Sequence, residues 1–170
     1  MPDPSIPDPT LMVRLQLSVK GIDWAASLVA HRQHEQINGE WSAHQHLFHL
    51  NANEKVIQER IRLTVRHEQP VFARWDSIGH MNELHSPERD ISVLAEEFMT
   101  ERASTVALLK GLPPDGWRRT ATWPDGRVVD LAWIAEKALW HALDHFTALL
   151  DLHGELEPIQ APRWSAPRGG

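Results

Sequence analysis

Four long segments in which apolar residues recur at helical spacing constrain the fold of this chain more than any other feature. They cover about residues 11–36, 43–66, 87–110 and 131–154. Few stretches between them alternate apolar and polar residues as half-buried strands do. Helices with one apolar face must bury that face against one another, so the sequence predicts an all-α protein built as a four-helix bundle.

Capping and turn residues mark the ends of the first two helices. The first helix is expected to run from Leu11 to Gln36 and to end at the Asn38-Gly39 pair, since these residues favour helix termination. Ser42 can cap the second helix, and Gln45, three residues later, can reach back as its reciprocal partner. This second helix should continue to residue 66.

The third and fourth helices have equally clear start signals. Ser86, Pro87 and Glu88 combine a capping serine, a proline at the first helical position and an acid near the positive end of the helix dipole. The helix that they start should reach residue 110. Asp130 can cap a fourth helix that ends near Gly154.

Two connections between the helices are long enough to carry structure of their own. Residues 67–85 show no sustained period, so we expect a long loop with at most a short helical turn; loops of this length often serve function. The turn at 124–126 (Pro-Asp-Gly) separates two short segments that could pair as a small hairpin before the fourth helix.

One domain accounts for the helical part of the chain. A length of 170 residues suits a single core, which we assign to residues 11–154. Residues 1–10 and 155–170 are rich in proline and small residues, and they are predicted to be surface tails.

Charge and composition exclude several classes of function. The formal net charge is -6 and no basic stripe is present, so nucleic acid is a poor candidate partner. No segment approaches the roughly 20 apolar residues of a membrane span, and residues 1–10 lack a signal-peptide pattern, so we expect a cytoplasmic protein. The chain has no cysteine, so any transition-metal site must use histidine and carboxylate ligands.

Two histidines interrupt the apolar face of the fourth helix. His141 and His145 are four residues apart and therefore lie one above the other on the helix. The other members of their stripe are apolar: Ile134, Ala138, Ala148 and Leu152. A buried polar group without a partner costs roughly 1 to 3 kcal/mol, so the pair needs a shared partner, and a metal ion is one. The alternative is two core histidines that hydrogen-bond to carboxylates or backbone.

A third ligand would have to come from another helix. Catalytic zinc sites commonly use three protein ligands with water in an open position. The second helix offers His44, His46 and His49, and His49 lies deepest inside it, so we choose His49 and keep His46 as the alternative. The remaining histidines are expected to be solvated or locally bonded; they are His31, His34, His44, His67, His80, His85 and His153.

From Trp41 onward the sequence resembles the DinB/YfiT-like superfamily of metal-dependent bundle proteins, with a match over roughly residues 12–153. The resemblance is carried by SAHQHLFHLNANE, which starts at Ser42, and by LLKGLPPDGWRRTATWPDGRVVDLAWIAEKALWHALDHF, which contains the histidine pair. It implies that His49, His141 and His145 are the ligands of one divalent ion, zinc or nickel. Asn53 stands where the family commonly has an acidic residue, and Asp130 where relatives often have threonine.

The resemblance also implies a class of activity. Family members with assigned activities are thiol-dependent S-transferases and isomerases, so the chain is expected to act on a small molecule, with a low-molecular-weight thiol as co-substrate. A hydrolase is the related possibility, since a metal bound by three histidines can activate water. A homodimer is expected as well. The alternative function is a non-catalytic metal-binding or stress-response bundle, in which the ion mainly links two helices.

No general base stands out in the sequence. Glu54, Asp144 and Glu136 are candidates by position, but Asp144 should point about 100° away from the neighbouring ligand, and Glu136 should lie on a solvated face. Trp133 and Trp140 are expected to fill core rather than to line a site.

Overall fold

The computed structural model describes residues 8–157 and contains five α-helices and one small hairpin. The helices are α1 (Leu11–Leu28), α2 (Ala43–Arg66), α3 (Ser77–Leu84), α4 (Ile91–Lys110) and α5 (Leu131–Leu156), and the strands are β1 (Thr120–Thr122) and β2 (Val128–Asp130). The predicted tails lie largely outside the described residues. No described helix is both long and apolar enough to span a bilayer, and the cytoplasmic location stays a prediction.

The four long helices form the predicted bundle. Helix α1 packs mainly against α4 and α5, and α2 packs against the same two helices from the other side. The apolar core has two clusters. One contains Ile22, Leu47, Leu94, Phe98 and Leu149, and the other contains Leu15, Ile57, Ile61, Val106 and Ile134. The all-α bundle prediction is therefore confirmed.

The predicted caps of α2 and α5 are present. The Gln45 backbone N–H donates to Ser42 Oγ at 3.3 Å, and the Ser42 backbone N–H donates to Gln45 Oε1 at 2.9 Å, which completes a capping box. At α5, the Asp130 carboxylate accepts a hydrogen bond from the Trp133 backbone N–H at 2.8 Å. Helix α5 ends two residues beyond the predicted Gly154.

The predicted end of the first helix was wrong. Helix α1 ends at Leu28, because the backbone of Val29 leaves the helical region and a short 3₁₀ turn follows. The residues beyond it are used by other elements. The Gln33 carbonyl accepts from the backbone N–H of His44 at 2.9 Å, and the Gln33 side-chain oxygen accepts from the backbone N–H of Ile91 at 2.7 Å. Tertiary hydrogen bonds to the first turns of α2 and α4 thus outweigh the helical pattern of residues 29–36.

The predicted start of the next long helix was also wrong. The cap of α4 is Asp90, whose carboxylate accepts from the Ser92 backbone N–H at 2.9 Å, and the helix starts at Ile91. Ser86 caps nothing, because its hydroxyl donates to the Glu88 carboxylate at 2.5 Å. Two capping signals lie within five residues, and only packing decides which one begins the helix.

The long connection and the hairpin are joined to each other. Residues 67–85 contain the short helix α3, and the hairpin pairs Thr120 with Asp130 and Thr122 with Val128. The Phe72 backbone N–H donates to the Thr122 carbonyl at 2.9 Å, so the start of the connection lies along β1. This contact fixes where the connection crosses the bundle.

The two tryptophans of α5 differ in burial. Trp133 is half-buried, and its ring lies 5.0 Å from that of Trp123 on the hairpin. The core prediction for Trp140 was wrong, since this residue is 61% exposed. Seven residues separate the two, so they share one helix face, but the hairpin covers only the end that carries Trp133.

Replacing Ser42 with alanine should remove half of the capping box. We expect Ser42→Ala to lower the free energy of unfolding by about 1 kcal/mol, because one backbone N–H of the first turn of α2 loses its partner. Urea denaturation measures the change. Ser104→Ala is the control, since that exposed hydroxyl lies within α4 and donates only to the Thr100 carbonyl. Equal effects for both substitutions would contradict the capping role.

Candidate metal site

The structure brings the three predicted ligands together from two helices. His49 of α2 meets His141 and His145 of α5, and one ring nitrogen from each lies within 4.8 Å of the other two. The His49 and His141 Nε2 atoms are 3.0 Å apart, and the centroids of the His141 and His145 rings are 4.6 Å apart. Packing of α2 against α5 therefore creates the cluster.

This geometry suits one divalent ion. Two nitrogens that each bind zinc at about 2.0 to 2.1 Å can be at most about 4 Å apart, which is close to the separations of the cluster. Within residues 8–157 no fourth histidine, aspartate or glutamate joins the set. An ion held by these three side chains would keep at least one position for water or a substrate atom.

His46, the alternative ligand, takes a different place. Its Nδ1 atom lies 2.8 Å from Nδ1 of His145, and it does not belong to the three-nitrogen set. One ring donates this hydrogen bond and the other accepts it, so the contact holds the ring of His145 in one orientation. Partners of this kind fix the orientation of ligating histidines in metal sites.

Burial keeps the whole cluster neutral near pH 7. Loss of solvation lowers the pKa of His46, His49 and His141 to about 4. The same desolvation, together with the neighbouring imidazoles, lowers the pKa of His145 to about 2. Neutral imidazole has a free nitrogen lone pair, which is the form that binds metal ions.

Two tryptophans enclose the cluster, and sequence reasoning missed both of them. The centroid of the Trp41 ring is 5.0 Å from that of His49, and the ring lies nearly parallel to His145 at 6.3 Å. Trp75, from the long connection, stacks on His49 with a centroid distance of 5.5 Å. The only hint in the sequence was the position of Trp41 next to the cap of α2. These rings make the surroundings of the cluster apolar.

None of the three candidate bases belongs to the cluster. Glu54 is buried, lies 2.9 Å from the Arg102 guanidinium and accepts from the Thr105 hydroxyl at 2.5 Å. Asp144 and Glu136 are exposed, as predicted. Glu54 therefore serves to link α2 to α4, and a proton acceptor at this site would have to be a histidine or the substrate itself.

Two histidines that were predicted to be solvated or locally bonded instead contact residues far away in the sequence. His44 is fully buried; its Nε2–H donates to the Arg89 carbonyl at 2.7 Å, and its Nδ1 lies 2.8 Å from Nε2 of His85. His31 contacts Glu157 at 2.9 Å. These contacts account for those rings without a metal ion.

The family model described as the DinB superfamily matches residues 23–149, a stretch that contains all three clustered histidines. The chain belongs to the DinB superfamily. Its fold is also that of YfiT from Bacillus subtilis, described as a probable metal-dependent hydrolase with an unusual four-helix bundle topology. The two share 19% sequence identity with a TM-score of 0.81, and the alignment covers 94% of each chain. None of the curated proteins matches this DinB-superfamily chain.

The depressed pKa values predict how the stability of the metal-free protein depends on pH. In the unfolded chain a histidine takes up a proton near pH 6.5, whereas His46, His49 and His141 stay neutral down to about 4 in the folded protein. Between these values the unfolded state binds more protons, so the free energy of unfolding should fall as the pH is lowered from about 6.5 to about 4. Urea denaturation at a series of pH values measures it.

His145→Gln is the matched variant for this test. Glutamine cannot be protonated, so the decrease in unfolding free energy over the same pH range should be smaller than in the parent protein. A parent protein whose unfolding free energy does not change over this range would show that the cluster is not buried as described.

Proposed function

We propose that this protein is a divalent-metal-dependent enzyme that acts on a small molecule, of the thiol-dependent S-transferase or hydrolase type. The observation that supports this most is the convergence of three neutral imidazoles from α2 and α5, one buried and two half-buried, without a fourth ligand from the described residues. Structural zinc sites usually have four protein ligands, whereas catalytic sites usually have three. YfiT, which has the same fold, is described as a probable metal-dependent hydrolase, and this agrees with the proposal.

The donor set favours zinc or nickel among the divalent ions, since imidazole suits both. Such an ion would lower the pKa of a bound water or thiol and so supply a nucleophile at neutral pH. His49, His141 and His145 would hold it, and His46 would orient His145. Trp41 and Trp75 would limit the access of bulk water.

A small molecule suits this site better than a polymer. The cluster lies between helices behind two tryptophan rings, and the net charge of -6 disfavours nucleic acid. A low-molecular-weight thiol is the proposed co-substrate, because a metal-bound thiolate needs no separate protein base. None of the candidate bases, Glu54, Glu136 and Asp144, belongs to the cluster, which agrees with this choice.

Metal content and activity together test the proposal. We expect the protein, purified without a histidine tag, to contain about one divalent ion per chain, and His145→Ala to lose it, since two imidazoles bind far more weakly than three. Elemental analysis measures the ion, and transfer of a thiol to an electrophile and ester hydrolysis measure activity. His67→Ala, an exposed histidine outside the cluster, is the control.

Each outcome of this test has a defined meaning. Activity that disappears with a chelator and returns with zinc or nickel would support the enzyme. A full complement of metal in His145→Ala would reject the ligand assignment. Metal binding that stabilises the fold without activity in either assay would favour the non-catalytic bundle instead.

The proposal includes a homodimer. Four large apolar side chains on α1 and α5 are more than half exposed: Val13, Leu17, Trp24 and Trp140. Exposed apolar surface of this extent is typical of protein interfaces. A second copy of the chain could cover it, since the groove between Leu17 and Trp140 is lined mainly by apolar side chains, with Arg14 as its charged member.

Replacing Trp140 with glutamate should separate the two copies. A charge buried in an apolar interface is costly, so we expect Trp140→Glu to be monomeric where the parent is dimeric, as measured by light scattering after size-exclusion chromatography. Val71→Glu is the control, because Val71 is 77% exposed and belongs to the long connection. A monomeric parent protein would contradict this part of the proposal.

A further inference from the structure

A cavity next to the metal site is lined by two arginines. Its volume is about 390 Å³, and Trp75, which stacks on His49, forms part of its wall. The lining residues are Arg60, Arg74, Trp75, Trp123, Pro124 and Asp125. The cavity therefore lies between the long connection, the hairpin and α2, and Trp75 is the residue that it shares with the surroundings of the three-histidine cluster.

Arg60 is held in place by aromatic rings. Its guanidinium carbon is 4.2 Å from the centroid of the Trp123 ring and 5.4 Å from that of Phe72, and it donates to the Ala73 carbonyl at 3.2 Å. Stacking and this hydrogen bond fix the plane of the guanidinium while leaving most of its donors unused. Arg60 forms no ion pair with any carboxylate among residues 8–157.

Arg74 also lacks an anionic partner in the described part of the chain, although it is exposed. Within residues 8–157, six other arginines of this acidic protein form ion pairs, such as Arg14 with Asp8 and Arg102 with Glu54, while the exposed Arg66 does not. The acid at the cavity does not neutralise the two arginines, because Asp125 accepts two hydrogen bonds from the guanidinium of Arg127, at 2.9 and 2.6 Å, and a third from its backbone N–H at 3.1 Å.

The cavity and the cluster share one face of α2. Arg60 lies eleven residues after His49, which is three turns, so both side chains point to the same side at a rise of about 16 Å. Helix side chains lean toward the N-terminus, so Arg60 leans toward the histidines. The Trp75 ring lies against His49 and borders the cavity, and thus connects the two places.

We propose that this cavity binds an anionic group, a carboxylate or a phosphate, of the small-molecule substrate. Arg60 and Arg74 would bind the anion, and the uncharged remainder of the molecule would extend across Trp75 to the metal. Planar guanidinium groups match both anions with paired hydrogen bonds. The claim that the anion belongs to a substrate rests on the proposed function. The claim that the cavity binds an anion depends only on the two unpaired arginines.

Anion binding tests the site directly. Metal-loaded protein is titrated separately with inorganic phosphate and with acetate while the indole N–H signals of Trp75 and Trp123 are followed by NMR. Both signals should shift with saturation, and the tighter of the two anions identifies the preferred group. Arg60→Gln and Arg74→Gln should each weaken binding by about tenfold, since each removes a charged donor.

Arg66→Gln is the matched control, an exposed arginine on α2 outside the cavity. Equal binding in Arg66→Gln, Arg60→Gln and Arg74→Gln, or no shift with either anion, would overturn the inference. If Arg60→Gln unfolds because Trp123 and Phe72 lose their packing partner, the exposed Arg74 still decides the test. The KM for an anionic substrate should then rise in Arg74→Gln, with kcat nearly unchanged.

The His145→Ala variant separates this inference from the proposed function. This variant should still bind the anion, because the positions of the arginines do not depend on the metal ion. Loss of anion binding would show that the anion binds to the metal, and would refute the anion site in the cavity. If the parent protein binds the anion normally but never takes up metal, the proposed enzyme function is rejected and the anion site is retained.

Discussion

A buried ionic contact at the centre of the bundle links the three helices on which the site depends. Arg102 of α4 lies 2.9 Å from Glu54 of α2, and its guanidinium donates to the Ala138 carbonyl of α5 at 3.2 Å, one turn before His141. Both side chains are almost fully buried, so removing either partner would leave a charge without solvation, at a cost of several kcal/mol. This contact holds α2 and α5 in register, and that register sets the distance from His49 to His141.

The site follows from this register and from desolvation. Apolar walls that include Trp41 and Trp75 keep the four imidazoles neutral near pH 7. Three of them, those of His49, His141 and His145, are close enough together to bind one ion. The same burial lowers the free energy of unfolding of the metal-free protein at acidic pH, because the histidines of the unfolded chain bind protons more readily. Metal affinity and acid sensitivity thus have one physical origin.

Local signals in the sequence predicted several elements correctly. The capping box of Ser42 and Gln45, the cap at Asp130 and the hairpin depend on neighbours within five to ten residues, and the structure has all of them. Where two local signals compete for the same helix end, the sequence did not show which one the structure uses. Residues 29–36 look helical but bond to other helices, and Ser86 looks like a cap but Asp90 takes that role. The prediction that Trp140 fills core was wrong because helical periodicity shows which residues lie on the same helix face. It does not show whether another element covers that face.

The sequence by itself determined that this chain forms a helical bundle, that any transition-metal site in it must use histidine or carboxylate ligands, and that His141 and His145 share one face one turn apart. Periodicity and side-chain chemistry are local properties, so the sequence is enough to show them. Only the tertiary structure decided that His49 joins this pair and that His46 hydrogen-bonds to His145 instead. It also decided that Trp75 covers the cluster and that Arg60 faces a cavity without an acidic partner. These facts depend on the rotation and offset of packed helices and on the path of a loop, which no short-range pattern specifies.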